Sequence, residues 1–524
     1  MTITSTTLSP SELSALKTKY EQLGQGHVFQ FFDELNAEDQ GALLDQLVGI
    51  DVARLNGIYD KAIQASAAAA SPNGEHEALV EPLTKDVFDT VLTSDDDDNH
   101  SRKRKRQEIQ DWETLGLSLI AKNQVAVILM AGGQGTRLGS SAPKGCYDID
   151  LPSKKSLFQL QAERILRLQE LAQQYALPQQ QKVVIPWYIM TSGPTNQPTV
   201  DFFKKHNFFG LDEQNITFFE QGTLPCLTMD GKIILEGKGK VAIAPDGNGG
   251  IYAAVQNKGV IDDMKRRGIM YSHCYCVDNC LARVADPVFI GYCVSKQTDC
   301  GVKVVRKTQP DEPVGVVCRR GGRYGVVEYS EISQELSERR DEEDGSLTLR
   351  AANIANHFFS TAFLDRVPEF AGELEYHIAK KKIKHVDLAT GQQIVPTSNS
   401  GMKLECFVFD IFPFAKQFSV LEVDRKEEFS PLKNAPGSGV DCPETSRRDI
   451  IAQHVRFIQA AGGSIKGVSQ NIVEATEVPD DLNFELSSWV SYAGEGLSDV
   501  VNGKVIVPPA VIETRQDLVN FTQQ

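Results

Sequence analysis

The stretch Gln124–Ile149, QVAVILMAGGQGTRLGSSAPKGCYDI, constrains the fold more than any other. Val125 to Met130 is a short apolar run, the pattern of a fully buried strand. It breaks at once into a loop holding Gly132, Gly133, Gly135 and Gly139, and ends in Pro143-Lys144-Gly145. A P-loop needs a glycine before its lysine and a hydroxyl after it; here Pro143 and Gly145 stand in those places. A dinucleotide fingerprint fits Gly133 and Gly135 but meets Leu138 where its third glycine belongs. The physics is shared with both: consecutive N–H groups with no Cβ in the way can close around phosphate oxygens. Arg137 adds a planar fork and Lys144 a point charge. That much positive charge suits a triphosphate. Taken alone, the loop reads equally as a glycine turn between a strand and a helix.

Strand-like runs (VAVILM, VVIPWYIM, ITFFE, VKVVR, VGVV, KLECFVFDIF) alternate with helical ones (LFQLQAERILRLQELAQQY, VDFFKKH, GGIYAAVQNKGVIDDMKRRG, TAFLDRV) across residues 109–435. Such alternation implies an α/β domain with a largely parallel sheet, whose ligands sit outside the carboxyl ends of the strands. Residues 1–108 read as a helical N-terminal domain, with Ser9 as N-cap, Pro10 at the first helical position and Glu12 completing a capping box. Inside it, SDDDDNHSRKRKR (94–106) reads as an exposed linker; its basic half, 102–106, also resembles a nuclear-import signal. Residues 436–524 hold one helix and then short strands and turns, a small β-rich C-terminal domain.

The net charge of −16 over 524 residues argues against nucleic acid or an anionic membrane as the main partner. The N-terminus lacks the basic-then-apolar layout of a signal peptide, no apolar run is long enough to span a bilayer, and the 10 cysteines are scattered. A reducing, cytoplasmic setting is expected.

Other stretches carry chemistry. Gln221, just past ITFFE, offers a donor and an acceptor suited to a nucleobase edge, or is a loop glutamine in water. In PDGNGG, Gly247 permits close backbone approach and Asn248 can hold a hydroxyl. YSHCYC alternates like a strand whose cysteines are small hydrophobes rather than zinc ligands. Asp278 closes that strand where a carboxylate would meet a phosphate-bound Mg2+, or caps a turn. Glu328 sits in an apolar, strand-like setting and needs a partner, which sugar hydroxyls or Arg323 would supply. Asn353 and Asn356 offer hydrogen bonds. Phe407 and Phe409 fall on one strand face with Asp410 on the other, and Lys433 stands in a stiff loop, SPLKNAPG.

In this order, AGGQGTRLG, PKG, FEQG, PDGNGG, VDN, GVVE, NIANHFF, ECFVFD and PLKN resemble the eukaryotic-type UDP-N-acetylhexosamine (UDP-N-acetylglucosamine) pyrophosphorylase family. The resemblance covers roughly residues 110–440 and, more weakly, both flanks; Met130 stands where an aliphatic is common. It implies a central Rossmann-like nucleotidyltransferase domain with a mixed, mostly parallel sheet. It further implies a Mg2+-assisted reaction of UTP with N-acetylglucosamine 1-phosphate, giving UDP-N-acetylglucosamine and pyrophosphate for amino-sugar, chitin and cell-wall precursors. By the same resemblance, the backbone at Ala131, Gly132 and Gly247 and the Gln221 amide hold uracil, while Gly135, Thr136, Arg137 and Lys144 surround the triphosphate, and Gly133 is a further substrate-binding position. Asn248, Gly315, Glu328 and Asn353 hold the hexosamine, Phe407 and Phe409 wall the N-acetyl group, Lys433 contacts phosphate, and Asp278 and Asp410 bind the metal.

Three rival readings stand beside this one. A UDP-glucose or broad UDP-sugar pyrophosphorylase differs only in the sugar. A nucleotide-sugar glycosyltransferase would show D-x-D at a strand end, where this chain has Val277-Asp278-Asn279. A non-catalytic UDP-sugar sensor would not need Arg137, Lys144, Asp278 and Lys433 together. The oligomeric state and the choice between N-acetylglucosamine and N-acetylgalactosamine are left open.

Overall fold

A computed structural model describes residues 8–69, 79–93, 98–178, 182–342 and 344–523. The first part of the acidic run, 94–97, lies outside these. Contacts divide the chain into two compact units, each drawn from three separate stretches. One gathers Met1–Ala78, Gln221–Ala253 and Phe370–Ile411; the other gathers Leu79–Glu220, Ala254–Glu369 and Phe412–Gln524.

The larger unit is built on an 11-stranded sheet. Its main path runs Phe88–Thr90, Phe418–Val423, Cys300–Arg306, Ala351–Ser360, Tyr271–Cys276, Val125–Met130, Trp187–Thr191, Ile216–Glu220. All neighbours on this path are parallel except the two that flank Ala351–Ser360. The sheet is therefore mixed and mostly parallel. Every residue of Val125–Met130 is buried, as expected for a strand covered on both faces. Met130 pairs with Met190 on one side and Cys276 on the other, so three carboxyl ends are level along one edge.

Several runs differ from their sequence reading. VVIPWYIM forms a strand only from Trp187, because Pro186 has no N–H to donate to the ladder. GGIYAAVQNKGVIDDMKRRG is two helices, Ile251–Asn257 and Val260–Arg267, broken at Gly259 with φ +71°. The basic run is not a linker: the helix Asn99–Ala121 passes through it. The Asp98 side chain caps that helix by accepting from the Ser101 N–H at 2.6 Å. The far end of this helix is fixed by backbone contact with Pro287–Ser295. A Cβ on Gly116 would lie 2.0 Å from the Pro287 carbonyl, and one on Gly291 1.8 Å from that of Trp112. Nothing in a local charge run reveals such packing.

Residues 443–523 continue the larger unit. The helix Pro443–Ala460 is followed by short strands, among them Phe484–Leu486 parallel to Ala510–Ile512 and Ser464–Ile465 parallel to Val505–Ile506. Charged groups tie this segment to the helix Leu157–Gln173: Arg167 to Glu495 at 2.9 Å, and Ser487 Oγ donating to Glu163 at 2.8 Å.

In the smaller unit, the helices Pro10–Gln22, Ala37–Gly49 and Val52–Ala69 share a core with hairpin residues. Tyr20, Leu43, Leu47 and Leu55 pack with Leu227, Leu235, Val241, Met402 and Leu404. Ser9 caps the first helix in a full capping box with Glu12, as expected. The run KLECFVFDIF is strand only as far as Glu405. Phe407 and Phe409 therefore do not lie on a strand face. The chain turns there because the Asp410 carboxylate accepts from the Phe407 N–H at 2.6 Å and the Asn248 side chain accepts from the Val408 N–H at 2.9 Å. A carboxylate three residues along the chain and an amide from a distant loop outcompete the ladder.

Candidate active site

In the larger unit the glycine loop leaves its strand at Ala131, whose N–H donates to the Met190 carbonyl at 2.8 Å. Ser192, at the end of the neighbouring strand, donates through Oγ to the Gly132 carbonyl at 2.7 Å. The loop then folds back on itself. Gly135 N–H donates to the Ala142 carbonyl at 3.0 Å and Lys144 N–H to the Gly133 carbonyl at 3.1 Å. This return places the lysine beside the glycines. Nothing lies within 4 Å of where a Gly133 Cβ would be, so that space is open to a ligand. Gly145 is glycine for a different reason: a Cβ there would meet the Phe158 ring at 2.2 Å. Thr136 and Arg137 are exposed at the rim, while Gly135 is buried.

Asp278 follows the strand Tyr271–Cys276, next to the strand that feeds the loop. One of its oxygens stands 3.4 Å from the Lys144 ammonium, with both side chains partly exposed. Lys433 is delivered to the same place by backbone pairing. Leu432 N–H donates to the Asp278 carbonyl at 2.8 Å, and Asn279 bridges to Pro431. Asn279, which the sequence reading passed over, welds the two loops. Its Oδ1 accepts from the N–H groups of Ser430 and Leu281, and its Nδ2 donates to the Glu428 carbonyl at 2.7 Å. Burial, then the Asp278 carboxylate, pushes the Cys276 thiol well above its usual range, and the Lys144 and Lys433 ammoniums oppose that shift. Arg137 belongs to the loop, so both cations expected to meet phosphate there and the carboxylate lie on the same edge of the sheet.

Three further residues converge in this unit. The Asn353 N–H donates to the Gly315 carbonyl at 2.9 Å. Glu328 Oε1 lies 3.0 Å from where a Gly315 Cβ would be. The strand Ala351–Ser360 is irregular against Cys300–Arg306 between Lys303 and Val304, and Ala355 takes φ +52°. Asn353 Oδ1 accepts from the Ala355 N–H and holds this bulge. Bulges re-aim side chains beside functional sites. Glu328 is half-buried, just past its strand, whereas Arg323 is exposed at the opposite end of that strand.

In the smaller unit, Gly247 has φ +90°, and a Cβ on it would lie 2.2 Å from the Cys406 carbonyl, so no other residue fits. The Gln221 Nε2 donates to the Gly247 carbonyl at 3.3 Å. The Phe407 and Phe409 rings lie 5.1 Å apart, and the His377 ring lies 4.5 Å from Phe407. His377, also unread in the sequence, sits 3.0 Å from Asp410 through Nε2. Asp410 is therefore committed to the turn, through His377 and the Phe407 N–H. That arrangement does not fit a metal ligand. Asp278 fits one better: it is hard, partly exposed and only loosely paired. Among the described residues, no group of three or more His, Cys, Asp or Glu side chains could hold a metal by itself. The YSHCYC cysteines are free and buried or half-buried in their strand.

A mixed α/β sheet, carrying a glycine cradle, two lysines and a carboxylate at the carboxyl ends of its strands, defines a phosphate-handling nucleotide-binding protein. The UTP–glucose-1-phosphate uridylyltransferase family matches residues 85–438. The chain is 44% identical over 507 residues to a human UDP-N-acetylhexosamine pyrophosphorylase-like protein 1, covering 96% of this chain and 97% of that one. It is 43% identical over 497 residues to a Saccharomyces cerevisiae UDP-N-acetylglucosamine pyrophosphorylase, covering 93% and 97%. The crystal structure of a uridine diphosphate N-acetylglucosamine pyrophosphorylase from Trypanosoma brucei in complex with inhibitor superposes with a TM-score of 0.78 at 31% identity, covering 94% and 95%. The chain belongs to the UTP–glucose-1-phosphate uridylyltransferase family. Among the described residues, no helix is long and apolar enough to cross a membrane.

Proposed function

We propose that this uridylyltransferase joins UTP and N-acetylglucosamine 1-phosphate, releasing pyrophosphate and forming UDP-N-acetylglucosamine. The observation that carries the reading is the Lys144–Asp278 pair at the mouth of the glycine loop, with Lys433 held to the same edge. A sugar phosphate is an anion at neutral pH and needs no general base. Its oxygen attacks the α-phosphorus in line, and pyrophosphate leaves from the opposite side. The protein's work is positioning and charge neutralisation. Gly133, Gly135 and Thr136 cradle the triphosphate, and Arg137 and Lys144 offset the charge that grows on the leaving pyrophosphate. Lys433 draws the sugar phosphate toward a second anion that otherwise repels it. Asp278, now partnered by the Lys144 ammonium, would exchange that contact for a divalent cation, Mg2+ being the natural choice for phosphate oxygens. Such a cation would supply further charge neutralisation. Asp410 is assigned instead to setting the Phe407–Phe409 turn.

The uracil groups would be the backbone at Ala131, Gly132 and Gly247 and the Gln221 amide. The sugar groups would be Asn248, Gly315, Glu328 and Asn353, with Phe407 and Phe409 against the acetyl methyl. Asn248 already spends its side-chain oxygen on Val408 N–H, leaving its amide nitrogen to meet a hydroxyl. A reducing compartment suits its ten free thiols.

The family's own description names glucose 1-phosphate, so the second reading is a UDP-glucose pyrophosphorylase, which the names of the more similar relatives do not favour. Pyrophosphate release from UTP with Mg2+, measured in parallel with each sugar phosphate, separates them. Release with the acetylated sugar supports the proposal; release with glucose 1-phosphate alone transfers it to the second reading. Binding of UTP without release would leave a nucleotide-sugar sensor.

A further inference from the structure

Asp246 lies in the smaller unit between two glycine turns and has no part in the scheme above. Its backbone is held on both sides: its N–H donates to the Gly222 carbonyl at 3.2 Å, and its carbonyl accepts from the Cys406 N–H at 2.8 Å. The residue is only 9% exposed. The carboxylate fills space that two glycines vacate. A Cβ on Gly222 would lie 2.5 Å from Oδ2, and a Cβ on Gly250 1.8 Å from Oδ1. Oδ1 has no hydrogen-bond partner. A buried carboxylate without full satisfaction is costly, and its retention calls for a reason.

Two side chains favour its charged form, the Arg54 guanidinium first and Gln221 after it. Gln221 directly precedes Gly222, against which Oδ2 lies; its side chain opposes the upward push of burial on the Asp246 carboxyl, and its Nε2 donates to the Gly247 carbonyl at 3.3 Å. Both groups are acceptors, and an ionised carboxylate can only accept. The amide nitrogen is thereby drawn inward, and Gln221 presents its oxygen outward. An outward amide oxygen accepts an N–H and repels another acceptor. Uracil carries a donor at N3; cytosine carries an acceptor there.

We propose that Asp246 is a positioning residue that fixes the flip of the Gln221 amide and so makes the site select uracil over cytosine nucleotides. This rests on the reading that Gln221 meets the base. An acceptor–acceptor contact in a desolvated site leaves both groups without a partner and so rejects the mismatched base.

The test is the ratio of kcat/KM for UTP over CTP, with N-acetylglucosamine 1-phosphate and Mg2+, in the wild type and in Asp246→Asn. Asparagine keeps the shape but can donate as well as accept, which frees the Gln221 amide to turn its nitrogen outward. The ratio is expected to fall by about tenfold or more, with KM for UTP rising and KM for CTP falling while kcat for UTP changes far less. Gly222→Ala displaces the same carboxylate without altering it and should move the ratio in the same direction. It also covers the case in which Asp246→Asn fails to fold. A ratio equal to that of the wild type in a folded variant overturns the inference, because a merely structural role would depress both nucleotides alike. A wild type that releases no pyrophosphate from UTP overturns the parent reading and this one with it. A wild type that uses UTP and CTP equally overturns this one alone.

Discussion

The same residue yields a prediction about stability. Burial pushes the Asp246 carboxyl from its ordinary value of 3.8 up to about 6. A shift of about two units, at about 1.4 kcal/mol each, amounts to about 3 kcal/mol. The sign follows from proton binding. The folded chain holds this proton more tightly than the unfolded chain does, so the stabilisation is fully present below the unfolded value and is lost as pH rises through about 6. Above that, the folded protein carries an ionised carboxylate that would be better hydrated if unfolded. Asp246→Asn removes the titration and keeps the volume. The variant is therefore expected to be more stable than the wild type by about 3 kcal/mol near pH 7.5, with the advantage nearly gone near pH 4. Guanidinium unfolding of both proteins at the two pH values, followed by tyrosine and tryptophan fluorescence, measures the difference. An advantage of equal size at both pH values would refute the linkage, since it would then arise from packing. No advantage at pH 7.5 would mean that the orphaned oxygen is satisfied in solution. If the prediction holds together with a relaxed base preference, the carboxylate is a case of stability given up for selectivity.

Other perturbations probe the catalytic edge and its support. Lys144→Ala and Lys433→Ala are each expected to lower kcat by about 10²-fold or more while leaving the thermal midpoint nearly unchanged, because both act on charge that develops during phosphoryl transfer; activity equal to wild type in either removes that lysine from the scheme. Gly145→Ala forces a methyl into the Phe158 ring at 2.2 Å. Overpacking of this kind costs about 1–3 kcal/mol, and it should also raise KM for UTP by moving the Lys144 turn; unaltered melting and kinetics would show that the loop yields freely. Lys303 is fully buried, with its ammonium between the carboxylates of Asp286 and Glu428. Lys303→Met leaves two buried carboxylates facing each other and is expected to lose about 3–5 kcal/mol in urea unfolding. Because the Glu428 carbonyl receives the Asn279 side chain, that variant should also lose activity at temperatures below its melting point.

How much was legible in the sequence depended on the range of the forces involved. The strand Val125–Met130, its glycine loop, the helix Leu157–Gln173 and the Ser9 cap are set by local periodicity, backbone freedom and side-chain reach across three or four residues. All were read directly. The return of Lys144 to the glycine loop was legible because Gly133, whose carbonyl accepts the Lys144 N–H, belongs to the same short stretch. The strand reading of ECFVFDIF failed because Asn248, about 160 residues away, supplies the acceptor that turns the chain. The basic run was misread because the contacts that make it a helix lie on Pro287–Ser295.

The residue types, the order of the motifs and the alternation that demands a parallel sheet were determined by the sequence by itself. Only the tertiary structure decided which of those groups act together. Asn279 could be read as a turn residue until Ser430 and Glu428 were placed around it. Asp410 could be read as a ligand until His377 was found against it. Asp246 was one letter of a glycine loop until two missing Cβ atoms made room for its carboxylate beside Gln221. The physical reason is common to all three. A side chain's chemistry is set by its desolvation and its hydrogen-bond partners, and both come from chain segments that sequence order does not bring together.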